Sequence, residues 1–429
     1  MQTIVIVGGG AGGLELASQL GRKLGKRKKA DIVLVDKNTS HIWKPLLHEV
    51  ATGSLDTGTD GVVYRAHGAR HGYRFVMGEF TGVDRDNKTI KLAAVFDDEG
   101  KPLLPERQLK YDTLVMAVGS VSNDFGTPGV QDHCFFLDSQ AQAERFHKAL
   151  LNHFMRIDEE VDGGTLNVAI VGAGATGVEL SAELHHVTEL LKNYGMPNMT
   201  PKRLRITLIE AGPRILPALP ERISASARKE LSRLGVEVKE DTRIQKATAD
   251  GFITSDDILI RADLMLWAAG VKAADYVKDL GVFELNKANQ ILVKPTLQST
   301  TNDDIYALGD CCGFLQENGK WVPPRAQSAH QMASTIKDNI LRRRNNKNQK
   351  NFTYHDHGSL VSLSRYSTVG SLMGNLTSKS MFVEGHLARL MYVSLYRMHQ
   401  IAIHGFSKAA MVYVAETISK VVRPKMKLH

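Results

Sequence analysis

The chain has 429 residues, 54 Lys plus Arg against 46 Asp plus Glu, and 43% hydrophobic residues. This composition is typical of a globular protein of two or three domains, which excludes disordered, collagen-like and coiled-coil chains. Three cysteines, two of them adjacent at Cys311 and Cys312, exclude a disulfide framework. Apolar runs fall short of the roughly 20 residues of a spanning helix, and no secretory or transit peptide is visible.

The first segment predicts a nucleotide-binding unit. Residues Gln2–Val7 form an apolar strand pattern, which leads into Gly8, Gly10 and Gly13 and then into a helical pattern. The strand predicted over residues 31–36 ends in an acid that can accept hydrogen bonds from ribose hydroxyls. Such glycines permit a tight turn, close approach of a diphosphate and close packing of the helix whose N-terminus binds the anion.

The same pattern returns 164 residues later, from Gly8 to Gly172. Here Leu166–Val171 precedes Gly172, Gly174 and Gly177, and the next predicted strand, residues 205–210, ends in Glu210. Two dinucleotides on one chain indicate electron transfer between them. We expect a flavin on the first unit and a nicotinamide cofactor on the second.

Glu210 indicates which nicotinamide cofactor is used. A carboxylate at this position accepts the ribose hydroxyls of NADH and repels the additional phosphate of NADPH. Arg214 lies four residues further on and weakens the inference, because an arginine can bind that phosphate. The pattern therefore favours NADH.

Other predicted elements surround the two units. A β-meander is expected over residues 73–83 and 89–96, and a buried parallel strand over residues 111–118, closing at Gly119. Residues 341–350 read as a solvated connector and residues 359–369 as a strand. Further strands are expected at residues 235–239, 264–269, 291–293 and 305–308, the last leading to Gly309 and Asp310.

The C-terminal stretch has a distinct composition. Residues 380–429 contain seven Lys or Arg and two Glu, with apolar residues at helical spacing. Basic amphipathic helices of this kind suit an anionic membrane surface, although packing on the protein itself or on a dimer partner is the alternative. The apolar positions are Leu387, Leu390, Met391, Leu395, Met398, Ala410, Met411, Val414, Ile418 and Val421, with Arg389, Arg397 and Lys408 interspersed.

Three longer motifs resemble the type II NADH:quinone oxidoreductases, which belong to the flavoproteins with two dinucleotide-binding domains. They are HIWKPLLHEVATG at residues 41–53, GAGATGVELSAEL at residues 172–184 and AQSAHQ at residues 326–331. The resemblance implies an α/β fold of two Rossmann-like domains in a glutathione-reductase-like arrangement. It assigns residues 1–120 and 295–345 to non-covalent FAD, residues 121–294 to NADH and residues 346–429 to an amphipathic helical membrane-anchoring module.

The resemblance also implies an activity and a location. We expect oxidation of NADH with two-electron reduction of a membrane quinone, without proton pumping, at the cytoplasmic face of the membrane. Ubiquinone and menaquinone both fit the sequence. Quinone, membrane lipids and a possible second copy of the chain are the expected partners. The alternatives are a soluble NADH-dependent reductase of a ferredoxin-like acceptor and a redox sensor without turnover.

Three side chains are expected to act near the reacting groups. Glu179 matches a glutamate where nicotinamide, flavin and quinone meet, and could relay protons; the alternative is that it only supports its helix N-terminus. Gln327 and Gln331 lie four apart, share one helix face and match residues that line the quinone pocket, unless they are exposed helix polars. His330 between them is expected to be packed or solvated.

The remaining expected contacts are with the two nucleotides. Asp310 matches a residue that bonds the flavin ribityl chain, although a helix N-cap is an alternative. The full set is Gly8, Gly9, Gly10, Ala11, Gly12, Gly13, Asp36, Lys37, Gly119, Asp310 and Ala326 for the flavin nucleotide and Gly172, Gly174, Gly177, Glu210 and Gly270 for NADH.

Other chemistries find little support in the sequence. The cysteines lack the spacing of a redox pair beside the flavin, which disfavours disulfide reduction and sulfide oxidation. The 16 histidines show no HExxH or Cys/His ligand spacing, so no metal site is expected. The basic run at residues 22–29 comes without a nucleic-acid-binding motif and reads as solvated surface, so we expect no nucleic-acid partner.

Overall fold

The computed structural model describes residues 1–97, 99–159, 164–363, 367–373, 380–422 and 426–427. Within these ranges, the side chains at positions 59, 367, 369–373, 380–391 and 419–422 are outside the description. The expectations for Leu387, Arg389, Leu390, Met391 and Val421 fall on those side chains.

A six-stranded sheet carries the first glycine motif. Neighbouring strands are parallel except for the outer pair at residues 298–307. Gly8, Gly119 and Gly309 each follow a strand at the carboxyl edge of this sheet, so segments distant in sequence meet there. The strand order is Gln298–Ser299, Asn302–Ala307, Thr113–Met116, Gln2–Val7, Ala30–Asp36 and Arg74–Met77.

A second, four-stranded parallel sheet carries the second motif. Its three longer strands are largely buried and rich in apolar residues, as expected when a parallel sheet is covered on its faces, whereas the edge strand Glu237–Lys239 is partly exposed. Gly172 follows Leu166–Val171, one of the two inner strands, at the carboxyl edge of this sheet. The strand order is Glu237–Lys239, Leu204–Ile209, Leu166–Val171 and Leu264–Trp267.

Shorter antiparallel pairings complete the sheets. Strands Val121–Ser122 and Val271–Lys272 pair with one another and so join the segments that enter and leave the second unit. Three-stranded sheets are formed by Phe80–Asp84, Thr89–Leu92 and Arg107–Lys110, by Ile244–Thr248, Gly251–Thr254 and Leu259–Arg261, and by Gly358–Leu363, Ser367–Met373 and Ser380–Glu384. Two-stranded pairings join Ser40–His41 to Val62–Val63, Val95–Phe96 to Pro102–Leu104, and Ile291–Leu292 to Cys312–Gly313.

Helices pack on these sheets. The helix after the first glycine loop packs along the helix that begins at Ala326, which brings the predicted AQSAHQ motif to the first unit. The α-helices are Ala11–Leu20, Leu47–Thr52, Thr57–Asp60, Tyr64–His71, Val130–His133, Gln140–Glu159, Ala175–Leu191, Glu221–Arg233, Asp275–Asp279, Ala326–Arg344, Gly385–His404 and Phe406–Val422. One π-helical turn covers Gly21–Gly25, and 3-10 helical turns cover Lys44–Leu46, Lys192–Tyr194, Pro201–Arg203 and Gly309–Cys311.

The core has separate apolar clusters in the two units. The cluster of the second unit includes Leu47, Val50 and Ala51 from the HIWKPLLHEVATG motif, and Val361 and Leu363 from the C-terminal sheet. The motif therefore starts at the first unit and ends packed against the second.

Three sequence expectations differ from the structure. The single strand expected over residues 359–369 is replaced by two strands, Gly358–Leu363 and Ser367–Met373, which pair antiparallel. Residues 74–77 form the edge strand of the parallel sheet, paired with Ala30–Asp36, and not part of the meander. The ring of Phe75 explains the difference, since in this edge strand it packs in the core of the first unit and stacks on Tyr64 at 5.0 Å. Residues 341–344 continue the helix Ala326–Arg344 instead of forming a connector, because Arg343 bonds the Asp303 carbonyl and the Asp304 carboxylate.

The C-terminal stretch contains two helices, Gly385–His404 and Phe406–Val422. Several apolar residues that the helical pattern singled out are exposed: Met398 by 63%, Met411 by 64% and Ile418 by 62%. No helix in the described part of the chain is both long enough and apolar enough to span a bilayer.

Candidate active site

The first glycine loop is shaped by close approach of its own backbone. Gly8 has φ +103°, and a Cβ there would lie 2.2 Å from the Ala117 carbonyl oxygen. A Cβ on Gly13 would lie 1.9 Å from the Gly8 oxygen. Both positions therefore require glycine, the first for conformation and close approach and the second for packing of the helix on its strand.

Gly10 differs, because a Cβ there would meet no atom within 4 Å. It precedes the helix Ala11–Leu20 and provides no side-chain cap for the helix amides. Gly174 is equally open and precedes the helix Ala175–Leu191 in the same way. Two helix N-termini thus face open space over a glycine, an arrangement that fits a diphosphate at each loop.

The two predicted acids are tied to these loops. Asp36 accepts a hydrogen bond from the Gly9 amide at 2.6 Å, and Glu210 accepts one from the Ala173 amide at 3.0 Å. The second Glu210 oxygen accepts from the Gly212 amide at 2.9 Å. The structure therefore places both carboxylates beside the glycine loops, as the sequence pattern requires.

Arg214 is occupied elsewhere. Its guanidinium donates to the carbonyl oxygens of Leu216, Pro217 and Leu219 at 3.3, 2.9 and 2.8 Å. These bonds hold the loop after the second sheet strand. Arg214, the residue that weakened the prediction of NADH, therefore stabilises this loop through its guanidinium.

The segments after three strands of the first sheet meet through a bridge of polar side chains. Ser120 Oγ donates to Asp310 Oδ2 at 2.7 Å. Lys44 Nζ donates to the Ser120 carbonyl and hydroxyl oxygens at 2.8 and 3.1 Å. The Asp310 side chain thus accepts a hydrogen bond from a segment distant in sequence. Lys44 lies in the motif at residues 41–53, but the sequence pattern predicted no role for it.

The remaining predicted nucleotide contacts lie around the same loops. Gly9 packs under the Tyr64 hydroxyl, and Gly12 packs on Leu308. Lys37 is exposed and pairs with Glu79 at 3.5 Å. Four further predicted positions lie at loop edges: Gly119, with φ +74° and open space around it; Gly270, with φ +63°; Ala11, the first residue of its helix; and Ala326, the first residue of its helix.

Glu179 lies in the second turn of the helix Ala175–Leu191 and is 6% exposed. Its Oε1 accepts from the Ser362 amide at 3.0 Å and its Oε2 lies 3.7 Å from His48 Nδ1, with the Tyr392 side chain close to the carboxyl. These partners come from three other segments. Support of its own helix N-terminus, the alternative from sequence, does not account for them.

Burial raises the pKa of Glu179 to about 8, and the charges of Glu49 and Glu183 act in the same direction. The bond from the Ser362 amide and the nearby Tyr392 hydroxyl oppose the rise. Burial also lowers the pKa of His48. At pH 7 the pair therefore consists mainly of a protonated carboxyl beside a neutral imidazole, so Glu179 holds a proton that it can donate.

The side chains of Gln327 and Gln331 both hydrogen-bond the segment at residues 355–358. Gln327 donates to the Gly358 carbonyl at 3.0 Å and accepts from the His357 amide at 3.1 Å. Gln331 donates to and accepts from the His355 backbone at 2.8 and 2.9 Å. Both amides thus hold the segment that leads to Ser362, and their expected contact with a quinone stays a prediction.

The cysteines are buried and apart from this chemistry. Burial raises the pKa of the Cys311 thiol to about 11 and that of Cys134 to about 12, and it raises the pKa of Cys312 as well. All three thiols are therefore protonated at pH 7, whereas attack on a disulfide requires a thiolate. This agrees with the expectation that the cysteines are packing residues.

Comparison with known proteins agrees with the paired loops. A family described as pyridine nucleotide-disulphide oxidoreductase matches residues 2–333. The type II NADH:quinone oxidoreductase of Haemophilus influenzae is 47% identical over 444 aligned residues, covering 100% of both chains. That of Staphylococcus aureus is 30% identical over 86% of this chain and 90% of its own.

A solved structure is similar over the same extent. NDH2 of Plasmodium falciparum in complex with NADH superposes with a TM-score of 0.82 at 19% identity, covering 99% of this chain and 100% of that one. This likeness concerns the fold. Together with the full-length sequence identity, it confirms the α/β fold and the expected relationship. The chain belongs to the pyridine nucleotide-disulphide oxidoreductase family and, within it, to the type II NADH:quinone oxidoreductases.

Proposed function

We propose that the chain oxidises NADH and reduces a membrane quinone by two electrons with FAD as its cofactor. The balanced reaction is NADH plus a proton plus quinone to NAD⁺ plus quinol. The observation that carries the proposal is the pair of open glycine loops, each with its acid, together with the protonated Glu179 on the second helix. Family membership points to the same reaction.

The first loop suits FAD. Gly10 leaves room for the diphosphate, and Asp36 beside the loop would accept hydrogen bonds from the ribose hydroxyls. The bridge of Lys44, Ser120 and Asp310 lies at the same sheet edge, where the ribityl chain and ring would lie. When bound, FAD supplies the redox chemistry, since it can exchange two electrons with either substrate. The first domain would then comprise residues 1–120 and 295–345.

The second loop suits NADH, within residues 121–294. Gly174 leaves room for its diphosphate and Glu210 accepts its ribose hydroxyls, while Arg214 is held by backbone carbonyls. The 2′-phosphate of NADPH would be repelled by the Glu210 carboxylate. Arg214, which could otherwise bind that phosphate, already donates to backbone carbonyls. The preference for NADH follows from this electrostatic difference.

Glu179 would supply a proton to the quinone oxygen. Quinol formation requires two protons, and NADH brings only a hydride. A carboxyl with a pKa of about 8 is protonated at pH 7 and strong enough as an acid to donate. His48 lies 3.7 Å away on the other side and is the group through which Glu179 would regain its proton.

Gln327 and Gln331 would act by positioning. Their amides hold the backbone of residues 355–358, from which the strand Gly358–Leu363 leads directly to the Ser362 amide on Glu179. Loss of these bonds would free that strand and misplace the acid. Gln331 Nε2 has a second hydrogen with which it could also donate to a quinone oxygen, whereas Gln327 Nε2 already donates to both Asp356 and Gly358.

The C-terminal helices would hold the enzyme on a membrane surface. Met398, Met411, Val414 and Ile418 are each more than half exposed, and basic residues lie on the same helices. Apolar side chains among cations suit insertion between anionic headgroups. We place the protein at the cytoplasmic face, where NADH is made, with residues 346–429 as the anchoring module and a homodimer as its assembly.

The reaction is tested by anaerobic titration of the purified flavin-loaded protein. NADH should bleach the flavin absorbance with one equivalent per flavin, and a short-chain quinone should restore it. Bleaching without reoxidation by quinone would favour the reductase of a ferredoxin-like acceptor instead. Absence of bleaching would favour a sensor without turnover.

Membrane attachment is tested with the full chain and vesicles of anionic phospholipid. The double variant Met411→Ser with Ile418→Ser should lose co-sedimentation with the vesicles while its flavin still reacts with NADH. Replacement of Leu315 and Trp321, exposed apolar residues outside the two helices, provides the control. Equal sedimentation of all variants would contradict the proposed surface.

A further inference from the structure

Three histidines come together on the side of the first unit, where the proposed reaction does not use them. His67 and His71 lie one turn apart on the helix Tyr64–His71, and His404 is the last residue of the helix Gly385–His404. One ring nitrogen from each lies within 4.8 Å of the other two. The His67 and His71 rings stack at 4.0 Å, with His404 against the edge of His67 at 5.1 Å.

His67 is prepared to act as a ligand. It is 5% exposed, and its Nδ1 is hydrogen-bonded to the Tyr73 hydroxyl at 3.0 Å, while its Nε2 is buried without a hydrogen-bond partner. A ring whose far nitrogen is held by an oxygen is the usual orientation of a metal-binding histidine. A buried imidazole nitrogen without a partner is unfavourable unless something binds it.

The three imidazoles lie in a partly buried, cationic environment. Burial lowers the pKa of His67 to about 3 and that of His71 to about 4, and it lowers the pKa of His404 too. Nearby cations add to the effect.

The surrounding charges limit the affinity. Arg22, Lys26 and Lys408 lie near the cluster and disfavour added positive charge, while Glu416 near His404 partly offsets them. Arg22 is the direct competitor, since its Nη1 donates to His71 Nδ1 at 3.1 Å. The same guanidinium bonds the Ala402 and Ile403 carbonyls at the end of the C-terminal helix.

We propose that His67, His71 and His404 bind a divalent transition-metal ion of the Zn²⁺ class. Three imidazoles with a fourth position left for water or an anion are a common zinc arrangement. Binding would bring the nitrogens, now within 4.8 Å, to about 3.4 Å of one another and would turn the stacked His67 and His71 rings toward a common point. The ion would join the helix Gly385–His404 to the first unit. The site is independent of the proposed reaction.

Calorimetry on the full-length flavin-loaded protein, treated with chelator and then titrated with ZnCl₂, tests the proposal. We expect one ion per chain with micromolar affinity, and a higher Tm in its presence. His404→Gln and His67→Gln should each weaken binding about tenfold or more. His133→Gln, an exposed histidine on another helix, is the matched control and should bind as the wild type does.

Two further measurements distinguish a specific site from adventitious binding. Co²⁺ in place of Zn²⁺ should give the visible absorption of a four-coordinate nitrogen site, which adventitious surface binding does not produce. Lys408→Gln should tighten binding, because it removes a cation near His71 and His404 while leaving the ligands intact. Flavin content of each variant reports its folding. No saturable binding, or equal binding in correctly folded His404→Gln, would overturn the site.

Discussion

Glu15 and Glu179 occupy equivalent positions in the two glycine units, each five residues after the open glycine of its loop. Both are buried, and both face a histidine from a distant segment. Glu15 contacts His330 and accepts from Gln19 Nε2 at 2.6 Å. Glu179 lies 3.7 Å from His48. The duplicated sequence therefore reproduces a buried acid as well as a nucleotide loop.

Their surroundings differ in charge. Glu15 lies close enough to Arg22 for their charges to interact, whereas Glu179 lies near the carboxylates of Glu49 and Glu183. Burial together with like charges is what keeps a proton on Glu179 at pH 7. The repeat therefore sets the position of the acid, while its neighbours set the charge around it: Glu183, which stands where the first unit has Gln19, and Glu49 from outside the repeat.

The largest expected difference between the two units lies in the open glycines. Gly10→Val should give protein without flavin, because its side chain fills the diphosphate space. Gly174→Val should keep its flavin and raise the KM for NADH by about tenfold or more, a loss of about 1.4 kcal/mol of binding. Since neither Cβ meets a protein atom within 4 Å, both should fold, as circular dichroism would show. Exchanged phenotypes would reverse the cofactor assignment.

The equivalent acids should differ next. Glu179→Gln should slow reoxidation of the reduced flavin by quinone by about 100-fold and leave reduction by NADH nearly unchanged, since only the proton donor is lost. Glu15→Gln is the matched variant and should change the quinone step by much less. Stopped-flow spectroscopy separates the two half-reactions. Equal effects of both substitutions would contradict a special role of Glu179.

The same acid predicts a pH dependence. The donor form of Glu179 is the protonated one, and its pKa is raised to about 8. The quinone step should therefore be constant at lower pH and fall as the pH rises through about 8, while in Glu179→Gln this decline should be absent. Rates from pH 6 to about 9.5 test this. A decline of the same midpoint in the variant would assign it to another group.

A smaller effect is expected for the carboxylates at the strand ends. Glu210→Gln should reduce the preference for NADH over NADPH about tenfold, because the negative charge that repels the 2′-phosphate is removed. Asp36→Asn, the equivalent change in the first unit, should leave this ratio unchanged in protein that retains flavin. The ratio of kcat/KM values measures the effect. An unaltered ratio in Glu210→Gln would mean that other groups select the cofactor.

The smallest effect concerns the bridge between strand ends. Ser120→Ala removes the hydroxyl that bonds both Lys44 and Asp310 and should destabilise the protein by about 1 kcal/mol. Thermal unfolding of the flavin-free protein should show a Tm lower by a degree or two. Ser255→Ala, which removes an exposed hydroxyl, should leave the Tm unchanged.

Local patterns predicted much of the fold. The strands that lead into the glycine loops, the acids after the following strands and the helical spacing of the C-terminal stretch all depend on short-range order, and the structure contains them. The segment at residues 74–77 was misassigned because a short apolar run does not show which strand it will pair with. The helix end at Arg344 depended on partners about 40 residues away.

The active-site assignments divide along the same line. The sequence by itself determined the two loops, because glycine is required wherever backbone approaches backbone as closely as at Gly8 and Gly13. The tertiary structure decided that Gln327 and Gln331 hold a strand, that His48 and Ser362 meet Glu179, and that His404 joins His67 and His71. Protonation and metal coordination depend on groups that folding brings together from distant segments, and no local sequence pattern indicates that proximity.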